Sequence, residues 1–176
     1  MDFVSHMGWG YASLRWRGKK EAWLGAAAGG APDFFFFVPS KIERLIENGW
    51  SGIGFPASEP GAWRADGPPL PPEWMYAYET YYVWTHSFVI LAAALGIFFV
   101  LKKQKWLWLG VPYALHILMD IPTHERFQTQ FLYPLSRWSM EGTSWSVWWI
   151  FWPNWIALLS LLTWLWWQNR EKTYQK

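Results

Sequence analysis

The chain has no cysteine among its 176 residues. That absence excludes disulfides and every thiolate metal site, and it leaves the redox state of the compartment unread. Charge is also scarce. Charged residues make up 16% of the chain and the net charge is +2. The basic residues form no long patch, so nothing here argues for a nucleic-acid partner. The first ten residues, MDFVSHMGWG, lack the basic start and clean apolar core of a secretory signal. No internal repeat is visible.

What the chain has in excess is aromatic and apolar surface. Aromatics account for 22% and hydrophobics for 52%, with 18 tryptophans. Tryptophan favours the membrane–water interface, where its ring is buried and its N–H stays wet. The clearest apolar span is 80–101, TYYVWTHSFVILAAALGIFFVL, which carries no Asp, Glu, Lys or Arg. It is long enough to cross roughly 30 Å of hydrocarbon at about 1.5 Å per residue. KKQK follows it at once. Further spans are 106–121, 145–167 with eight tryptophans and Pro153, and 22–38, which Pro32 and Asp33 are expected to break. Residues 3–14 are apolar but too short to cross alone. The stretch 48–74 holds five glycines and six prolines and reads as a long irregular loop, either a lid or a solvated insert. Residues 168–176 form a polar tail. The expected fold is therefore all-α. It is a single membrane-embedded helical bundle over 1–176, with about four spanning helices, a short N-terminal helix and the Gly/Pro-rich loop. A soluble bundle is the rival. The KKQK break and the tryptophan distribution oppose it, although the mean hydropathy of −0.03 does not.

The basic residues orient these spans. RWRGKK (15–20) holds four, KKQK (102–105) three and the tail three, together ten of the fifteen. A four-span arrangement puts all three groups on the cytoplasmic side of an inner membrane. The chain has only four histidines, His6, His86, His116 and His124. In this topology every one falls at the outer end of its segment, with Asp33 and Asp120 at the same level. His116, Asp120 and His124 are spaced by four, which puts them on one helical face.

An aspartate at the centre of a spanning helix costs about 2.5–3.5 kcal/mol, less towards the interface. A divalent cation held by imidazole and carboxylate would offset that cost, and such ligands suit zinc, iron, nickel or manganese. Plainer roles compete at each position. His6 reads equally as a hydrogen-bonded packing residue. His86 lies in THS, where Thr85 or Ser87 would cap a helix. His116 and Asp120 would form a simple hydrogen-bonded pair, Asp33 after Pro32 would cap a helix start, and His124 after Pro122 would fall in the loop. The tryptophan run of 145–167 reads as lipid-facing and packing surface.

Several short motifs occur in an ordered set over most of the chain. They are Ser5-His6, GAAAGGAPD (25–33), THS (85–87), HILMD (116–120) and LYPL (132–135). In these the sequence resembles the YdjM-like inner-membrane metal-dependent hydrolases, also described as LexA-binding or LexA-regulated. That family is in turn similar to the zinc-dependent phospholipase C and single-strand nuclease group. The resemblance implies an all-α enzyme with His6, Asp33, His86, His116 and Asp120 as metal ligands. Two motifs depart from the family pattern. Phe35 and Phe36 stand where the family often has Asp and His, and Tyr81, Tyr82 and Val83 stand where it often has His-Arg-Gly. A full multinuclear site is therefore not expected.

The functional expectation is a membrane-bound hydrolase with a divalent metal, zinc by preference, held by His6, Asp33, His86, His116, Asp120 and His124. Asp120 or Asp33 would act as base, and Arg126 reads either as a phosphate partner or as a surface residue. The substrate expected at the headgroup level is a phosphoester or a lipid-linked molecule, with membrane lipid as the surrounding partner. Two alternatives stand beside it. One is a non-catalytic membrane scaffold with a decayed site. The other is an ion-handling protein, which the nearly unbroken apolar runs of 88–101 and 156–163 oppose.

Overall fold

The chain is described from a computed structural model, over residues 1–49, 72–125 and 127–174. Most of the Gly/Pro-rich stretch 48–74 and Arg126 lie outside the described residues. Helices account for nearly all regular structure, and no strand occurs among the described residues. The all-α expectation holds.

Helix α1 (Phe3–Leu14) starts at Asp2, whose side chain accepts from the Ser5 N–H at 2.9 Å. This caps one of the free donors of the first turn. A 3-10 turn, Arg15–Arg17, leads to Gly18 at φ 137°, a conformation that a side chain would strain. The chain then reverses into α2 (Lys19–Asn48), 30 residues long. The two helices touch backbone to backbone. A Cβ placed on Gly10 would lie 2.3 Å from the Gly25 carbonyl oxygen, and one on Gly25 would lie 2.4 Å from that of Gly10. Gly29 meets the His6 carbonyl in the same way, at 2.6 Å. Small residues at a spacing of four allow such close approach. The crossing sets His6 level with the turn of α2 that carries Gly29 and Asp33.

Helix α2 does not break at Pro32 and Asp33 as the sequence suggested; it runs through both Pro32 and Pro39. Pro32 offers no N–H to the carbonyl four residues back and crowds it, but close packing on α1 holds the helix together across the gap. Asp33 is thus mid-helix, not a cap.

The 80–101 span also differs from expectation. Helix α3 (Pro72–Ala77) continues through a π-helical turn, Tyr78–Tyr82, and a final turn, α4 (Val83–Thr85), before the chain turns at His86. Helix α5 (Phe88–Val100) then starts with Ser87 as its cap, the Ser87 hydroxyl accepting from the N–H groups of Val89 and Ile90. The two pieces meet at 46°. Among the described residues no single helix is long and apolar enough to cross a membrane, but this bent pair, Met75–Thr85 with Phe88–Val100, together has the length and composition to do so. A 3-10 stretch, Gln104–Leu109, leads into α6 (Gly110–Thr123), and α7 (Trp148–Tyr174) closes the fold. Helix α7 leans on α1, with Leu158 filling the space above Gly8 and Trp9 Nε1 donating to Asn154 at 2.8 Å.

Few large apolar side chains are buried. One cluster, Phe36, Ala77, Tyr78, Tyr82 and Val83, joins α2 to the π turn. No residue of α5 is buried, and Ile97, Phe99, Val100, Val111, Leu118, Ile156 and Leu159 are all exposed. The middle of the molecule is therefore polar and its flanks apolar, the inverse of a protein folded around an oily core.

Candidate metal centre

Four side chains from three elements converge on one buried point. Asp33 comes from the middle of α2, His86 from the turn between α4 and α5, and His116 and Asp120 from successive turns of α6. One ligand atom from each lies within 4.8 Å of all the others, and every one of the four residues is buried. The two imidazole Nε2 atoms are 3.1 Å apart. Asp120 Oδ2 is 3.1 Å from His116 Nε2 and 3.4 Å from His86 Nε2. Asp33 Oδ1 is 3.6 Å from His86 Nε2 and 3.9 Å from His116 Nε2. A tetrahedral ion with bonds of about 2.0–2.1 Å needs donors about 3.3 Å apart. The five separations, 3.1 to 3.9 Å, bracket that value.

The hydrogen bonds around the cluster say what belongs in it. His116 Nδ1 lies 2.6 Å from the Gly29 carbonyl oxygen, which can only accept. Nδ1 therefore carries a proton, and in the neutral ring Nε2 presents a lone pair. His86 Nδ1 lies 3.1 Å from the Tyr82 carbonyl oxygen and 2.9 Å from Thr85 Oγ1, with the same result. Two lone pairs thus face each other across 3.1 Å, beside two carboxylates. Asp120 Oδ2 is buried and has no hydrogen-bond donor. Such an arrangement repels itself unless a positive charge, a proton or a metal ion, sits among the four donors. A metal-ligating histidine with its far nitrogen on a carbonyl is the usual arrangement at such sites. The donor set fits a divalent cation.

His6 and His124 lie on the other side of Asp120. His6 Nε2 is 2.9 Å and His124 Nε2 3.3 Å from Asp120 Oδ1. His6 stacks on His116 with ring centroids 3.6 Å apart. The two carboxylate oxygens thus face different partners, Oδ2 the four-donor group and Oδ1 these two imidazoles. His124 terminates α6 in extended backbone after Pro122, which the helix absorbs in its last turn. The structure brings all four histidines to one layer, but neither His6 nor His124 belongs to the four-donor group.

Several participants were not apparent in the sequence. Backbone carbonyls such as those of Gly29 and Tyr82 carry no residue-type signature. The Met1 α-amine donates to Asp120 Oδ1 at 2.5 Å and to Thr123 Oγ1 at 3.2 Å. Tyr82 stacks on His86 at 3.8 Å and its hydroxyl pairs with Thr129 Oγ1 at 2.9 Å. A π turn shifts backbone register by one residue, and here it delivers the Tyr82 carbonyl to His86. At the motif positions noted in the sequence, Phe36, Tyr82 and Val83 are buried in the aromatic cluster, whereas Phe35 is exposed and Tyr81 donates to Glu43.

The chain matches no family model, no curated protein and no solved structure.

Proposed function

We propose that this chain is an integral membrane hydrolase that uses one divalent metal ion, zinc by preference, against a phosphoester or lipid-linked substrate. The observation that carries the reading is the pair of Nε2 atoms 3.1 Å apart, each ring set by a backbone carbonyl at its far nitrogen and both flanked by two buried carboxylates. Two nitrogens and two oxygens at tetrahedral spacing favour zinc over the larger oxygen-seeking cations. The likeness of HILMD, THS and GAAAGGAPD to the YdjM-like hydrolases supports the same assignment.

When bound, the cation supplies Lewis acidity, lowering the pKa of water to about 7 and polarising a phosphoester oxygen. The protein's own residues divide the remaining work. His86 and His116, each fixed in one tautomer by a carbonyl at its far nitrogen, would hold the ion. Asp120 is fixed on both sides, Oδ1 by His6 and the α-amine and Oδ2 towards the imidazoles, so it orients and balances charge. Asp33 makes the longest contacts of the set and its side chain is 10% exposed. It is the carboxylate with capacity to take a proton from an attacking water. As the base it would give up the fourth tetrahedral position, leaving that position to the attacking water and the other three donors to hold the ion.

The membrane reading draws on the exposed apolar flanks and on the bent pair that passes as a span. It puts the cluster near the outer face of an inner, cytoplasmic membrane. The test is metal content by mass spectrometry on detergent-purified protein, beside Asp120→Ala and His116→Ala. Near-stoichiometric metal in the native chain, lost in both variants, supports the site and leads to a screen of phosphoesters. The rival, a scaffold with a decayed site, draws on the packing role of Phe36 and predicts no metal in any of the three folded proteins.

A further inference from the structure

Away from the buried cluster lies a group of six basic residues. From Asp33 back to Lys19 is 14 residues of α2, about 21 Å along the helix. Helix α5 leaves His86 and ends at Val100, just before Lys102, Lys103 and Lys105. Arg17, Lys19 and Lys20 at the α1–α2 turn, and Lys102, Lys103 and Lys105 before α6, are all exposed. None forms a salt bridge with a carboxylate among the described residues. The two segments meet through Arg17. Its guanidinium lies 5.1 Å from the Trp16 ring centre and 5.2 Å from that of Trp108. Trp16 is 76% exposed, with its indole N–H spent on the Ser13 carbonyl oxygen at 3.0 Å. Lys105 lies 5.4 Å from the Trp106 ring.

We propose that this end is a binding site for the phosphate of an anionic phospholipid, with Arg17 as its centre. Two indoles orient the guanidinium, and no acceptor among the described residues occupies its donors. A planar fork of N–H groups matches phosphate oxygens two at a time. The five lysines supply a local positive field that favours an anionic headgroup over a zwitterionic one. Exposed tryptophans at the same level would stand at the headgroup–acyl boundary. A diffuse basic patch would treat arginine and lysine alike, whereas an arginine held between two indoles would not.

The inference rests on the membrane reading above, and the test separates the two. Binding of a fluorescent short-chain phosphatidylglycerol is measured on detergent-purified full-length protein, with phosphatidylcholine, inorganic phosphate and a single-stranded DNA oligomer as competitors. Detergent-phase partition is recorded on the same samples. Saturable binding is expected, displaced by unlabelled phosphatidylglycerol and by none of the three competitors at equal concentration. Each neutralised lysine is expected to weaken it about fivefold. Arg17→Gln and Trp108→Ala should weaken it further than any single lysine change, and Arg17→Lys should fail to restore it. Equal competition by phosphatidylcholine, by phosphate or by DNA overturns the proposal, as does an Arg17→Lys protein that binds like the native one. Protein that partitions into detergent yet ignores phosphatidylglycerol removes this inference alone. Protein that stays in buffer removes the membrane reading itself.

Discussion

His116→Ala deletes one of two opposed lone pairs and also the hydrogen bond to the Gly29 carbonyl. The expected result is loss of most bound metal, with a folded chain. Thr85→Val is the gentler probe. It removes the hydroxyl 2.9 Å from His86 Nδ1 but leaves the Tyr82 carbonyl in place. Outer-shell partners of this kind contribute about 10–100-fold to metal affinity. Because one acceptor remains, a loss near the lower end is expected, read by competition with a chelating dye. An unchanged affinity would argue that Thr85 only packs. The spacing of His116 and Asp120 made this pair legible, since positions four apart must share a helical face. The separate role of His6 was not. A histidine's identity does not say whether it will meet an ion directly or meet the far oxygen of a ligating carboxylate.

The α1–α2 crossing sets the heights of His6, Gly29 and Asp33, so it should be unforgiving. Gly10→Ala or Gly25→Ala forces a methyl to within about 2.3–2.4 Å of a carbonyl oxygen, and overpacking of that kind costs about 1–3 kcal/mol. Gly96 on α5 has nothing within 4 Å of the equivalent position. Gly96→Ala should therefore raise stability by up to about 1 kcal/mol through helix propensity alone. Thermal melting of the three variants in one detergent checks the contrast, and equal losses for all three would refute it. Most helices could be read from apolar run length, but two boundaries could not. Proline in α2 argued for a break that packing against α1 overrode. The uninterrupted apolar run of 80–101 hid a turn at His86, because apolar content does not distinguish one straight helix from two joined at an angle. The small residues of GAAAG, four apart, were the available signal for the close crossing.

Taken whole, the molecule has two ends and an apolar waist. The buried cluster lies at one end. The segment from Phe127 to Val147 is bonded to its flanking residues, through Phe88 N–H to the Phe131 carbonyl and Gly142 N–H to the His124 carbonyl. The Arg17 and lysine group lies about 21 Å along α2 at the other end. Between them α5 spans about 18 Å from Phe88 to Val100 without a buried side chain. Exposed apolar surface on that scale calls for lipid or a partner protein. Metal occupancy bears on the whole fold too, because an ion that binds only the native state stabilises it by about 2.7 kcal/mol at a hundred times its Kd. Chelation should lower the melting temperature of the native chain and leave that of His116→Ala unmoved. Orientation is open to a direct test, since the absence of cysteine makes every introduced thiol unique. Leu135, 80% exposed and two residues past Tyr133, whose carbonyl accepts from Ser87 beside His86, and Gln104, exposed beside the lysines, are suitable positions. With the basic end in the cytoplasm, a membrane-impermeant maleimide added to intact spheroplasts should label Leu135→Cys and spare Gln104→Cys, and lysis should expose both. The opposite pattern would place the metal cluster towards the cytoplasm and turn the proposed lipid contact to the outer leaflet. Labelling of neither before lysis, with all protein in the soluble fraction, would remove the bilayer from the account and require a partner protein to cover the waist.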